Sequence, residues 1–256
     1  MITLLLARHG QASFGQENYD QLSELGVVQA RKLGEHYGST QRRIDAIFSG
    51  SLVRQRDSAE HFYQAYQSAS KHYLGTKPIF DKSNPESCVL PIFNEFNHED
   101  VFVKSNPTLS TQAQIAAELN RNNQPISRLG ELFGQAMQRW HAGEHDEEYL
   151  ESWPQFSARA VQALEELRNQ VNAMHNCNAD SLDADSTVLV FTSGGVIAAI
   201  TAHLLKQSSA TAYQLTKSSV NTGVTSLIVQ QQKLQLLSYN EHSHLFSEGK
   251  SLVTKH

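Results

Sequence analysis

The sequence predicts an α/β fold, because buried strands, glycine turns and amphipathic helices follow one another along its 256 residues. One observation is the apolar run at residues 2–7, which has the length of a strand and stops at Arg8-His9-Gly10. The other is the apolar run at residues 187–192, which leads through a Ser-Gly-Gly turn into an apolar helix. A chain of this length forms one large α/β domain or a core with an inserted subdomain.

The composition favours a small-molecule partner. Lys and Arg number 21 against 26 Asp and Glu, so the net charge of −5 argues against a general nucleic-acid binder or a membrane-surface binder, although it allows a local basic pocket. Cys88 and Cys177 have no metal-ligand spacing, which favours a reducing compartment over a disulfide bridge. No segment approaches the roughly 18 apolar residues of a membrane span, so we expect a cytoplasmic protein.

Chemistry is predicted at the end of the first strand, because open α/β sheets bind ligands at the carboxyl ends of their strands. There the neutral imidazole of His9 can attack phosphorus while the guanidinium of Arg8 neutralises phosphate oxygens. Gly10 lets the backbone approach that phosphate. The alternative is that Arg8 and His9 are ordinary surface residues at the end of a strand.

A polar loop and a capped helix follow the first strand. Residues 11–22 contain Gly15, Asn18 and Asp20, which suit a loop over the strand end. Ser23 then caps a helix whose narrow apolar stripe allows close packing on a sheet. The stripe consists of Gly26, Ala30, Leu33 and Tyr37.

A short second strand, at residues 45–49, leads into a helix that carries Arg54 and Arg56 in its first turn. Two cations at the amino terminus of a helix oppose the helix dipole, so their presence indicates a site for an anion. Alternatively, both arginines are solvated or are paired with Asp57 and Glu60.

A candidate acid ends the next apolar run. Residues 68–87 are irregular, and residues 88–93 form a short strand or extended segment that precedes Glu95. Because Glu95 lies next to two phenylalanines, we expect burial to raise its pKa, as a general acid near neutral pH requires. Glu99 and Asp100 are interpreted instead as acids that open a helix.

A helical block at about residues 97–175 is inserted between elements of the sheet. Its second long helix is opened by Ser152 and Pro154, and residues 176–186 form a surface loop after it. One apolar face comprises Leu129, Leu132, Phe133, Ala136, Met137 and Trp140, and another comprises Phe156, Ala160, Val161, Leu164, Leu167 and Val171. Because the block follows the candidate acid, we interpret it as a cap that covers the site. A dimerisation surface would give the same pattern, so a homodimer stays open.

The late strand at residues 187–192 leads into Ser193-Gly194-Gly195 and a helix. This arrangement aims backbone amides and a positive helix end at a phosphate, or it is a tight turn with glycines for conformational reasons alone. Residues 224–239 predict a closing hairpin. From residue 240 onward we expect a polar tail, in which His242 and His244 are weak evidence for a metal.

Taken in order, these segments resemble the histidine phosphatase superfamily, also called the phosphoglycerate mutase-like family. The resemblance covers nearly the whole chain. It is carried by residues 6–11 (LARHGQ), residues 22–26 (LSELG) with Gln29 and Ala30, residues 49–59 with Leu52 and Arg54, then Glu95, and finally the late strand with Ser193-Gly194-Gly195.

The resemblance implies a single domain over residues 1–256, built as a three-layer α/β/α sandwich with a mostly parallel central sheet and the helical cap insertion. It implies a histidine-type acid phosphatase without a cofactor. By position, His9 is the nucleophile, and Glu95 is the acid that protonates the leaving oxygen and then helps to activate water. Arg8 and Arg54 clamp the phosphate, with Gly10, Ser193 and Gly194 as further phosphate-binding positions.

One position departs from the family pattern. Members place a second histidine before the glycine of the late turn, where this chain has Ser193. A charge-assisted hydrogen bond of that kind is worth about 1.5–3 kcal/mol, so its loss costs about one to two orders of magnitude in rate. Serine keeps one neutral donor, which predicts a slow or altered enzyme more readily than an inactive one.

Three functions therefore stay open. The first is a phosphomonoester phosphatase that acts on a small phosphorylated substrate or a phosphoprotein. The second is a pseudophosphatase that binds a phosphorylated ligand or protein without turnover. The third, a phosphoglycerate mutase, is disfavoured because the acidic segment after Glu95 lacks basic residues for a second phosphate.

Overall fold

A computed structural model describes residues 2–13, 20–70, 88–121, 125–177, 186–230, 233–248 and 250–255. Parts of the predicted loops, at residues 14–19, 71–87 and 178–185, and the centre of the predicted hairpin turn lie outside the described residues. The strands are β1 Ile2–Arg8, β2 Ala46–Ser49, β3 Ser186–Thr192, β4 Val224–Gln230 and β5 Lys233–Glu241. The α-helices are α1 Glu24–Ser39, α2 Val53–Ala69, α3 His98–Ser105, α4 Gln112–Asn120, α5 Pro125–Ala142, α6 Trp153–Cys177, α7 Gly194–Leu204 and α8 Ser209–Ser218.

The five described strands form one mixed sheet in the order β2-β3-β1-β4-β5. The pairs β2–β3 and β3–β1 are parallel, whereas β1–β4 and β4–β5 are antiparallel. The expectation of a mostly parallel sheet is therefore slightly off. The predicted hairpin is the cause, because two strands joined by a short turn must run antiparallel, and β4 adds to β1 in that direction.

The three-layer sandwich is confirmed by the two apolar cores on opposite faces of the sheet. Successive side chains of β1 alternate between them, with Leu4 and Leu6 in one core and Leu5 and Ala7 in the other. Residues of α1 and α2 cover the second core, and residues of α5, α6 and α7 cover the first. The catalytic candidates lie where these layers meet the strand ends.

The predicted start of α1 is confirmed. The Ser23 hydroxyl accepts a hydrogen bond from the backbone N–H of Gly26 at 3.0 Å, which satisfies one of the free donors at the helix terminus. The predicted stripe of α1 is buried, because this face of the helix packs against α2 and the sheet. The first turn of α1 packs against the backbone that follows β1, because Gly26 lies close to Gly10 and Gln11.

Two local predictions were wrong in part. Residues 88–93 do not form a strand, because Val89 makes only an isolated bridge to Ser49; the alternative of an extended segment holds at Leu90, after which the chain turns into a 3₁₀ helix, Pro91–Phe93. Proline has no N–H to continue a sheet ladder. In α5, the predicted apolar face is buried at Leu132, Ala136, Met137 and Trp140, but Phe133 is 36% exposed.

Helix α6 begins at Trp153, immediately after Ser152, as predicted. The backbone N–H of Ser152 donates to Oε1 of Gln155 at 2.8 Å, and this reciprocal cap fixes the start of the helix. Residues of α6 share one core with Leu4 and Val190 of the sheet, so this helix packs as part of the sandwich. The extent of the predicted cap stays a prediction.

The predicted polar tail is packed against the domain. His244 and Leu245 are buried, and the backbone N–H of Asn221 donates to the carbonyl of Thr254 at 2.9 Å. Within the described part of the chain, no group of three or more His, Cys, Asp or Glu side chains is arranged to hold a metal ion. Among the described helices, none is both long and apolar enough to cross a membrane.

Candidate active site

The register of the central strands brings the two glycine turns together. Strands β1 and β3 are parallel neighbours in which Arg8 is opposite Thr192, so His9 and Ser193 are the next residues at the same edge of the sheet. The backbone N–H of His9 donates to the carbonyl of Thr192 at 2.8 Å, which extends the ladder by one residue. The carboxyl ends of both strands therefore present their turns to one site, as expected for an open α/β sheet.

The imidazole of His9 is buried and is held in one tautomer. Its Nδ1–H donates to the carbonyl oxygen of Gly10 at 2.7 Å, and its Nε2 accepts a hydrogen bond from Nε of Arg54 at 3.2 Å. A guanidinium only donates, so Nε2 must carry the lone pair. Burial, Arg54 and Arg8 together hold the pKa of His9 well below its ordinary value. The ring is therefore neutral at physiological pH, with Nε2 as its nucleophilic atom.

Gly10 is needed for close packing on α1. A Cβ atom at this position would overlap the backbone of Gly26, with the Gly26 Cα at 2.9 Å. The Gly10 N–H donates to the Ser58 hydroxyl at 2.9 Å, so this amide is already used inside the protein. The predicted contact between Gly10 and phosphate stays a prediction.

Arg54 is buried in the first turn of α2, where the sequence indicates a site for an anion. In the structure Asp20 occupies that position, because its Oδ1 accepts from Nη1 of Arg54 at 2.6 Å and its Oδ2 accepts from the N–H of Val53 at 2.9 Å. Asp20 thus satisfies a helix terminus and orients the guanidinium toward His9. From the sequence, Asp20 is predicted only to lie in a loop, because no local pattern links it to a residue 34 positions away.

The second arginine of that turn behaves differently. Arg56 is exposed, as the alternative interpretation expects. Burial raises the pKa of the neighbouring Asp57, and Arg56 partly offsets this effect. Of these two arginines, only Arg54 is therefore part of the candidate site.

Arg8 is half-buried between the end of β1 and the segments that follow α8. Its Nη1 donates to the carbonyls of Ser219, at 2.5 Å, and Lys255, at 3.2 Å. Its Nε lies near Gly194, since a Cβ built on that glycine would be 3.5 Å away. Two main-chain carbonyls thus hold this guanidinium beside the amino terminus of α7.

Glu95 meets the same helix terminus. Its Oε2 accepts from the N–H of Gly195 at 3.0 Å, and its Oε1 accepts from the N–H of Phe96 at 3.3 Å. Burial raises the pKa of Glu95, although the Gly195 amide, Arg54, Phe96 and Arg8 oppose this shift. The carboxyl therefore keeps its proton to a higher pH than an exposed glutamate does. The Gly195 amide, predicted to face a phosphate, is directed at Glu95.

Ser193 is fully buried and precedes the first residue of α7. Its side chain does not cap that helix, and its Oγ accepts a hydrogen bond from Nε2 of Gln55 at 2.8 Å. Gln55 was not among the predicted site residues, because its side chain is neither titratable nor a glycine. Its position directly after Arg54, on a helix turn that faces the site, was the available signal.

His98 lies within electrostatic range of this group. It is the first residue of α3, it is half-buried, and its pKa is lowered by burial and by Arg54. The structure therefore brings His9, Arg54, Arg8, Glu95 and the turn at 193–195 to one edge of the sheet. Any part that His98 plays there stays a prediction.

Comparison with known proteins gives a family match over most of the chain. The family model of the histidine phosphatase superfamily (branch 1) matches residues 4–72 and 120–242. No curated protein matches the chain by sequence similarity.

Solved structures similar to the chain include phosphatases and a mutase. A phosphoserine phosphatase from Entamoeba histolytica has a TM-score of 0.59 and 18% identity, and the match covers 96% of this chain and 100% of that one. A mycobacterial glucosyl-3-phosphoglycerate phosphatase has a TM-score of 0.55 and 23% identity, with coverages of 94% and 99%. A phosphoglycerate mutase from Bacillus anthracis has a TM-score of 0.54 and 17% identity, with coverages of 95% and 94%. At these identities the likeness establishes the fold.

Proposed function

Because the chain belongs to the histidine phosphatase superfamily, we propose that it is a phosphomonoester phosphatase that acts through a phosphohistidine intermediate on His9. The observation that carries the proposal is the tautomer of His9. Its neutral ring keeps the Nε2 lone pair beside the Arg54 guanidinium, 3.2 Å away. A nucleophile next to a fixed cation is what attack on an anionic phosphoryl group requires.

In the first step, Nε2 of His9 attacks phosphorus and the bond from phosphorus to the ester oxygen breaks. The departing oxygen takes a proton from Glu95, whose raised pKa keeps that proton available. Arg54 Nε–H turns from Nε2 to a phosphoryl oxygen, and Arg8 neutralises further charge. The products of this step are an alcohol and phosphorylated His9.

In the second step, water attacks phosphorus and the bond from phosphorus to Nε2 breaks. The Glu95 carboxylate takes the proton of the water, and the electron pair returns to Nε2 of His9. Inorganic phosphate leaves, so the net reaction consumes one ester and one water. The hydrogen bond from Nδ1–H to the Gly10 carbonyl stabilises the positive charge of the phosphorylated ring in both steps.

The test is detection of the intermediate. We expect wild-type protein quenched with a good substrate to carry acid-labile, base-stable phosphate that is absent from His9→Ala. The substrate panel includes phosphoserine, glucosyl-3-phosphoglycerate, 3-phosphoglycerate and a phosphoprotein, because structurally similar proteins carry the first three substrate classes in their names. Absence of both labelled protein and released phosphate across the panel would contradict the proposal.

A second candidate is a pseudophosphatase, and the state of the α7 terminus favours it. Ser193 supplies a neutral donor where the family has histidine, and the Gly195 amide already binds Glu95. Binding of a phosphorylated ligand without phosphorylation of His9 would identify this function. Restoring the histidine with Ser193→His needs Gln55→Ala as well, because the Gln55 amide lies 2.8 Å from Oγ and fills that space. A gain in turnover in that double variant would indicate a weakened catalyst.

A further inference from the structure

The Gln55 side-chain amide joins three parts of the site. It is fully buried in the first turn of α2. Its Nε2 donates to Oγ of Ser193 at 2.8 Å and to the carbonyl of Phe93 at 3.2 Å, and its Oε1 accepts from the N–H of Leu52 at 3.4 Å. Gly50 leaves room for it, since a Cβ there would overlap Oε1 and lie 2.9 Å from the amide carbon. Helix α2, the segment before the candidate acid and the late turn are thus linked through one amide.

The surrounding backbone determines which way this amide faces. The carbonyl of Phe93 can only accept a hydrogen bond, and the N–H of Leu52 can only donate one. Reversing the amide of Gln55 would therefore set two oxygens against each other and two N–H groups against each other. The NH₂ group must face Phe93 and Ser193.

This orientation assigns a role to the Ser193 hydroxyl. An amide NH₂ has two hydrogens and offers no lone pair to a donor, so Ser193 Oγ is the acceptor in its bond with Gln55. The hydroxyl hydrogen is then directed to another group. Ser193 directly follows β3, whose neighbour β1 ends beside His9, and adjacent strands lie about 4.8 Å apart. The anion proposed to bind at this edge of the sheet is a phosphoryl group on His9 Nε2, and it is the group to which the Ser193 hydroxyl would donate.

We propose that Gln55 is a positioning residue that holds the Ser193 hydroxyl as a hydrogen-bond donor to the phosphoryl group. The pair takes the place of the second histidine that the family has at this position. The inference rests on the proposed function of the site as a phosphoryl-binding centre. It predicts that Gln55 and Ser193 contribute to phosphoryl binding through a single interaction, which is lost when either residue is substituted.

A double-mutant cycle tests this. Gln55→Met keeps the length of the side chain but removes both donors, and Ser193→Ala removes the hydroxyl. We expect each to lower kcat about tenfold, and the double variant to be no slower than the slower single variant. If the two losses multiply to about a hundredfold, Gln55 acts independently of Ser193 and the proposal is overturned. It is also overturned if Gln55→Met keeps wild-type kcat.

A matched control separates positioning from general loss of packing. Gln29 is another fully buried glutamine with bonded side-chain donors, to the Leu252 carbonyl at 2.7 Å and the Thr254 hydroxyl at 2.8 Å. Gln29→Met should lower the melting temperature, and any loss of kcat it causes should multiply with that of Ser193→Ala. If the loss of kcat in Gln29→Met is as non-additive with Ser193→Ala as the loss in Gln55→Met, buried amides act through packing alone, which contradicts the proposal.

The cycle is repeated with orthovanadate binding, measured by calorimetry, so that it does not depend on turnover. If wild-type protein binds orthovanadate but neither turns over substrate nor labels His9, the proposed phosphatase function fails while the binding cycle still decides the role of Gln55. Non-additive weakening of about five- to tenfold supports the proposal. Additive weakening, or no orthovanadate binding by wild-type protein, overturns it.

Discussion

Adding one methyl group at Gly195 should remove the candidate general acid from its working position. A Cβ built on Gly195 would overlap Oε1 of Glu95 and lie 3.1 Å from its Cδ and 3.2 Å from its Oε2. The carboxyl must then retreat by about 1 Å to reach ordinary van der Waals contact, and it loses the hydrogen bond from the Gly195 N–H. The backbone of α7 does not resist the change, because alanine is favoured over glycine in a helix by up to about 1 kcal/mol.

The expected loss follows from that displacement. General acid catalysis contributes about 10²- to 10⁴-fold, and a misplacement of about 1 Å can cost about 10²-fold. We therefore expect Gly195→Ala to lower kcat/KM about a hundredfold for an alkyl phosphate, whose leaving oxygen needs a proton. This quantity reports the steps up to release of the alcohol, so it excludes the second step, in which Glu95 acts on water for every substrate. With p-nitrophenyl phosphate, whose leaving group departs without a proton, the loss should be only a few-fold.

The assay compares kcat/KM for these two substrates in Gly195→Ala and in Gly194→Ala. The control places the same methyl group in the same turn, but its nearest neighbour is Nε of Arg8 at 3.5 Å, which is ordinary contact. Gly194→Ala should therefore leave the ratio of the two rates at its wild-type value, whatever it does to phosphate binding. An equal loss of kcat/KM with both substrates in Gly195→Ala would refute the assignment of Glu95 as the acid.

Three further predictions concern pH and stability. kcat/KM should fall at low pH as His9, whose pKa is lowered by burial and by Arg54 and Arg8, takes up a proton, and it should fall at high pH as Glu95, whose pKa is raised by burial, loses one; a kcat/KM that does not change with pH would contradict these roles. Asp20→Ala removes the carboxylate that binds Arg54, so it should lower kcat at least tenfold. It should also lower the free energy of unfolding, measured by urea denaturation, by about 1–2 kcal/mol. An unchanged kcat would argue against the role of Asp20 in orienting Arg54. Burial lowers the pKa of His141 to about 4. Above about pH 6.5 this histidine is neutral in both the folded and the unfolded chain, so it does not reduce the free energy of unfolding. As the pH falls toward 4, the unfolded chain takes up the proton first, and the free energy of unfolding drops by about 3 kcal/mol. His141→Phe should flatten that part of the stability profile in thermal denaturation, and an unchanged profile would show that other groups dominate it.

The family was recognised by its resemblance to several motifs of this chain, and that resemblance implied the histidine-type phosphatase class; both agree with the family match. The predicted strands at residues 2–7, 45–49 and 187–192 each agree with an observed strand to within two residues at either end. These elements are recognisable because an apolar run that ends at a glycine turn is a local pattern. The proposed roles of His9 and Glu95 stay predictions, although the structure brings both residues to one edge of the sheet.

Other features of the site could not be predicted from the sequence, because they depend on contacts between residues that are distant along the chain. The hydrogen bond of Glu95 with Gly195 spans 100 residues, and that of Gln55 with Ser193 spans 138. No local pattern distinguishes a glycine amide that binds phosphate from one that binds a carboxylate. The mixed character of the sheet likewise depends on which strand the hairpin joins.

Local sequence patterns identify which chemical groups stand at the ends of the strands: the imidazole and guanidinium after β1 and the hydroxyl and glycines after β3. How those groups are used depends on the folded chain, because neighbours from other segments set the tautomer of His9 and the proton affinity of Glu95. Burial among those neighbours changes the free energy of the charged form of each group. The turn at Ser193 is the clearest case, since its hydroxyl can donate or accept, and the Gln55 amide makes it the acceptor in their shared bond.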